Sequence, residues 1–132
     1  MDPQLSIERP TLRDFVMAVL SLTSTIEGRT RITDEELYAG FAELYRTHPE
    51  VFPIPMRFTH NGKRLYSKSL DTAVQLCLPY TIGINVENDL LLVPDTAILN
   101  LGWLHARYGG WVETIQPIAH EFACAIPQHS IQ

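Results

Sequence analysis

Residues 21–41, SLTSTIEGRTRITDEELYAGF, decide how the rest of the chain is read. Gly28 stops one helix, because glycine is the usual residue just past a helix end. Thr33 starts another. Glu36 follows it by three residues, so the Thr33 hydroxyl can accept from the Glu36 N–H while the Glu36 carboxylate reaches back to the Thr33 N–H. Asp34, Glu35 and Glu36 also place negative charge at the positive end of the helix dipole. Between these signals, residues 29–32 are short and β-permissive, and read as a strand. The stretch therefore predicts helix, short strand, helix.

The preceding helix begins after Pro10, with Thr11 as N-cap and Asp14 at the capping-box position. Its Leu12, Phe15, Val16, Val19, Leu20 and Thr23 recur at three- and four-residue steps, which predicts one buried face. In the following helix Leu37, Phe41, Leu44 and Tyr45 face one way. His48-Pro49 closes it, since the residue before proline is pushed out of the α region. Residues 51–56, VFPIPM, are too proline-punctuated for a central strand. Residues 56–67, MRFTHNGKRLYS, then predict a β-hairpin turning at Asn61-Gly62, both residues left-handed in a type I′ turn.

Ser67 or Ser69 caps a third helix carrying Leu70, Val74, Cys77 and Leu78, with Pro79 at or just past its end. Residues 80–94, YTIGINVENDLLLVP, predict a second hairpin around Glu87-Asn88-Asp89. Asp95 caps a fourth helix that ends at Gly109-Gly110. Residues 110–126 carry a helical pattern in which Pro117 either kinks one helix or restarts a second. The expected class is mainly α with small β-hairpins (α+β). A flexible segment 1–9 precedes a core of residues 10–94. A helical pair, 95–126, packs on that core or serves dimerisation, and 127–132 form a tail.

Over residues 11–93 this order resembles the winged helix-turn-helix superfamily. The resemblance is carried by SLTSTIEGRTRITDEELYAGF, by SKSLDTAVQLCL (67–78) at the recognition-helix position, and by TIGINVENDLLLV (81–93) at the position of a wing. It implies a nucleic-acid-binding scaffold whose third helix presents Ser67, Lys68, Ser69, Asp71, Thr72 and Gln75. The chain departs from the usual pattern in one respect: residues 48–66 stand where a compact helix-turn-helix has a turn of a few residues.

That long connection carries the chain's most uneven charge. Residues 57–68 hold Arg57, Lys63, Arg64 and Lys68 and no acid. The remaining residues hold six basic and fifteen acidic side chains, so +4 here and −9 elsewhere make the net −5. Phosphate binding needs an excess of Lys and Arg, so the whole-chain charge argues against a general polyanion binder. The local cluster, with Ser69, Thr72 and Gln75 beside it, suits a restricted contact with duplex DNA or an acidic protein partner. Arg57 is expected to approach Lys63 or Arg64 across the hairpin turn. A plain solvated edge, guarded by its cations against aggregation, is the other reading. The acidic Glu87 and Asp89 of the wing would oppose DNA.

Trp103, Tyr108 and Trp111 cluster around Gly109-Gly110 and are candidate interface anchors, for a homodimer or another protein. His120 and Cys124, four apart on a helix, would need His105 and Cys77 to complete a zinc site, and no paired-ligand spacing supports one. Both cysteines read as reduced core thiols. No nucleophile motif, phosphate loop or paired carboxylates occur. The chain reads as non-enzymatic and cofactor-free. The N-terminal residues have no signal-peptide pattern and no apolar run approaches a membrane span, so a cytoplasmic location is expected.

Overall fold

The structure, a computed structural model, describes residues 9–62, 64–77, 82–86 and 89–126. Of the ends read as flexible (1–9 and 127–132), all but Arg9 lie outside the described residues, as do Lys63, Leu78, Pro79 and Glu87-Asn88. Thr11 opens helix α1 (Leu12–Thr25) by the predicted reciprocal cap. Its hydroxyl accepts from the Asp14 N–H (3.2 Å) and the Asp14 carboxylate accepts from the Thr11 N–H (3.3 Å). The burial of α1 is wider than the single predicted face. Twelve of its fourteen residues are buried, including Ser21, Thr23 and Ser24. Helices α3 (Lys68–Cys77), α4 (Pro94–Tyr108) and α5 (Trp111–Ala125) all pack on it, with strand β5 (Asp89–Leu92). A helix surrounded on all sides is buried all round.

Strand β1 (Arg31–Thr33) leads directly into α2 (Asp34–Thr47), whose capping box forms as predicted: Thr33 Oγ1 accepts from Glu36 N–H (3.1 Å) and Glu36 Oε1 from Thr33 N–H (2.9 Å). β1 pairs antiparallel with β5, matching Ile32 to Leu90, and β5 pairs with β4 (Ile82–Val86). The sheet order is β1-β5-β4, with an irregularity between Ile82 and Asn85. Val86 pairs with Asp89, so Asp89, read as part of the turn, belongs to strand β5. A separate hairpin joins β2 (Thr59–Asn61) to β3 (Arg64–Tyr66). The protein is mainly α with small β-hairpins.

Aromatic rings pin the long connection between α2 and α3. After a 3₁₀ turn at Pro49–Val51, Phe52 inserts between Phe15 (4.7 Å between centroids), Tyr45 (5.1 Å) and Phe41 (6.5 Å). Phe58 lies on Tyr45 and Tyr66 on Tyr38. The proline-rich segment is thus fastened to α2 at both ends of its path, and α3 starts from a defined place.

Two local expectations change, and of the two readings left open at Pro117 the restarted second helix is removed. Asn61, read as a turn residue, pairs with Arg64 and is the last residue of β2, while Gly62 of the predicted Asn61-Gly62 pair is left-handed (φ 71°). Helix α4 starts at Pro94 rather than being capped by Asp95, because proline's fixed φ and missing N–H fit a first helical position. Pro117 sits inside one uninterrupted α5. That helix is held at its C-terminal end by Arg29, whose guanidinium donates to the carbonyls of Ala123 (2.7 Å) and Ile126 (3.0 Å).

Candidate nucleic-acid interface

Strand β3 runs into α3 through Ser67. This serine, read as a surface position, is buried because its hydroxyl caps the helix, accepting from the Leu70 N–H at 3.2 Å. Leu70, Ala73, Val74 and Cys77 then face the core. The opposite side of α3 presents Lys68, Thr72 and Gln75 to solvent, with Ser69 half-buried beside them. Lys68, Ser69 and Thr72 line an open groove of about 650 Å³ with Thr11 and Arg13 at the start of α1. The groove also contains Ile54 and Leu76, which are 41% and 51% exposed.

Asp71 is the acid that would oppose a phosphate on this helix. It turns toward α2, where its carboxylate accepts from the Tyr38 hydroxyl at 3.3 Å. Burial, together with the Asp71 charge and hydrogen bond, pushes the Tyr38 hydroxyl pKa well up, so it stays a donor.

The basic hairpin is split. Thr59 pairs with Tyr66, which puts Arg57 (two residues before β2) and Lys68 (two residues after β3) at the open end of the hairpin. Arg64 lies in β3 at the turn end, opposite Asn61. The expected approach of Arg57 to Arg64 is therefore replaced by a shared end for Arg57 and Lys68, because Arg64 stands opposite Asn61 at the far end of the three-residue strands. Arg57 is exposed. Lys63 lies outside the described residues, and for Arg64 only its strand position is described.

The three aromatic candidates separate in role. Trp103 is 43% exposed on α4, with the Arg107 guanidinium 5.3 Å from its ring. Tyr108 and Trp111 pack against the core, ring against ring at 5.4 Å. Tyr108 donates its hydroxyl to Asp14, a carboxylate only 1% exposed that also pairs with Arg13 at 3.1 Å. Burial alone would raise the Asp14 pKa. The hydrogen bonds from Tyr108, Thr11 and Arg13, with the Arg13 charge, outweigh it and hold the carboxyl below its ordinary value. The sequence suggests the Asp14 cap but not the Tyr108 contact across 94 positions.

The zinc alternative is not assembled. Cys77 is buried, its thiol donating to the Arg13 carbonyl, and burial pushes its pKa up to about 12. His105 pairs with Glu113 (3.6 Å). Cys124, read as a core thiol, is exposed. It lies 3.6 Å from His120 Nε2, whose Nδ1 faces Glu27 at 3.1 Å. Among the described residues no three metal-ligating side chains gather. Two acids of α2 are engaged locally: Glu36 in its cap and Glu43 with Arg46. His48 joins α2 to α5 through Glu121 at 2.8 Å, a link the sequence does not suggest. Among the described residues no helix is long and apolar enough to cross a membrane.

Compared with known proteins, the chain matches no family model, no curated protein and no solved structure.

Proposed function

We propose that this protein is a small cytoplasmic, non-enzymatic regulator of the winged-helix type that contacts nucleic acid through α3 and the basic hairpin. The observation that carries the reading is the outward side of α3. Lys68, Thr72 and Gln75 stand exposed with Ser69 at their edge, Arg57 shares the Lys68 end of the hairpin, and Asp71 is drawn away to Tyr38. Lysine and arginine engage phosphates, while Ser, Thr and Gln hydrogen-bond phosphates or base edges. The helix order and the β1-β5-β4 sheet are compatible with a winged helix, with β4 and β5 as the wing.

A second reading, a protein-binding adaptor on the same scaffold, draws on Ile54 and Leu76. Their exposed apolar surface beside Lys68 suits a peptide better than a phosphate chain. One titration separates the two. Fluorescence anisotropy of a labelled random duplex, at low and then moderate salt, is expected to show binding that weakens with salt, log K falling by about 0.9 per phosphate contact against log salt. Four basic residues limit that slope to roughly −4 per chain. Absence of salt-sensitive binding to duplex or single strand would sink the nucleic-acid reading and favour the adaptor.

A further inference from the structure

Helix α4 buries Ala97 and Leu104 against α1 and turns a continuous apolar stripe outward. Leu99 is 75% exposed, Ile98 59% and Trp103 43%, and Gly102 and Ala106 lie between and beside them on the same side. Such a stripe on an amphipathic helix is the opposite of what solvent favours.

Gly102 supplies an independent observation. A glycine inside a helix costs about 1 kcal/mol relative to alanine. At Gly40, in α2, the fold explains the residue, because a Cβ there would come within 2.6 Å of Phe122. At Gly102 no atom lies within 4 Å of where a Cβ would be. The missing side chain serves no packing inside the chain, whereas it would let a second helix approach closely.

We propose that the outward face of α4 is a self-association surface, on which two copies of this chain pack their α4 helices antiparallel about a two-fold axis. The charges single out a second copy as the occupant. Asp95 stands at one end of the stripe and Arg107 at the other, the latter stacked over the Trp103 ring. In an antiparallel pairing, the register that sets Leu99 of one copy on Trp103 of the second also sets Asp95 on Arg107, at both ends of the contact. This is the self-complementarity a two-fold interface requires. A partner of uniform charge would match only one end. A 15-residue helix is about 22 Å long, so the contact falls below the roughly 1,600 Å² of a standard interface, as in reversible association.

The inference does not rest on nucleic-acid binding and is tested without it. Sedimentation equilibrium of the full chain from low to high micromolar concentration should show a reversible monomer–dimer equilibrium. Leu99→Glu should shift the dissociation constant at least tenfold. So should Gly102→Leu, while it raises the thermal midpoint of the monomer, because leucine is the better helix former; this variant separates impaired association from impaired folding. Asp95→Arg and Arg107→Asp should each weaken the dimer, and the two together should restore it. A monomer at every concentration, a dimer indifferent to Leu99→Glu and Gly102→Leu, or a double charge exchange that restores nothing would each overturn the proposal.

Discussion

Helices α3 and α4 both show one side to water, and the two sides differ in kind. The outward side of α3 carries Lys68, Thr72 and Gln75 with a single bulky apolar residue, Leu76; that of α4 carries Ile98, Leu99, Gly102, Trp103 and Ala106. Both helices are anchored by buried residues, α3 by Leu70, Val74 and Cys77 and α4 by Ala97 and Leu104. The inward sides are therefore interchangeable in kind, and the outward sides are where the molecule differentiates. A polar, cationic surface keeps water until a polar partner displaces it, whereas an apolar one gains by excluding water at once.

The largest effect should come from changing the α3 side. Replacing Arg57, Lys63, Arg64 and Lys68 by Ser or Gln is expected to abolish salt-sensitive duplex binding, with the salt slope falling by about one for each phosphate no longer neutralised. The folding midpoint should move little on replacing Arg57 and Lys68 alone, since both are exposed and exposed charges contribute little to stability. Ile98→Ser, on the α4 side, should leave the salt slope unchanged. Equal impairment from both changes would mean that the two surfaces are not distinct.

Next in size is Gly40→Ala. A methyl group forced against the buried Phe122 ring should cost about 1–3 kcal/mol, read as a lower denaturation midpoint. Gly102→Ala should instead stabilise the monomer by up to about 1 kcal/mol, read as a higher midpoint. Opposite signs from the same substitution in two helices would show that one glycine serves the interior and the other does not. Thr33→Ala should cost about 0.5–2 kcal/mol through loss of the α2 cap, measurable by urea denaturation.

The smallest effect is confined to acid. The Asp14 carboxyl is held below its ordinary pKa in the folded chain, so its ionisation stabilises the fold above the unfolded-state value near 4. That contribution should disappear as pH falls through the lower folded pKa. Tyr108→Phe removes one of the hydrogen bonds that favour the charged form, so its acid unfolding should begin at higher pH. Superimposable urea midpoints for the two proteins between pH 3 and 6 would contradict this account of Asp14.

Local signals in the chain are easily read. The two capping boxes, Thr11 to Asp14 and Thr33 to Glu36, depend on residues three apart, and a hairpin around Gly62 needs one left-handed residue. The sequence puts Asn61 in the turn because Asn-Gly is good hairpin chemistry, and only its pairing with Arg64 shows that it belongs to the strand. What depends on distant contacts is not legible. Periodicity in α1 shows an apolar face but cannot show that three other helices surround it. Nor does VFPIPM announce that Phe52 inserts between Phe15 and Tyr45 and so fixes where α3 begins. Of the candidate interface residues, Lys68, Ser69, Thr72 and Gln75 follow from the helical period. That Ser67 turns inward and Asp71 toward Tyr38 follows only from the neighbouring elements.

Hydrogen–deuterium exchange of the full chain, with and without a saturating random duplex at low salt, tests the central claim most directly. The account predicts added protection confined to the backbone between Arg57 and Leu76, fading as salt is raised, with α2 and the outer side of α4 unchanged by the nucleic acid itself. Protection elsewhere, or none at a duplex concentration where binding is detected, would contradict it.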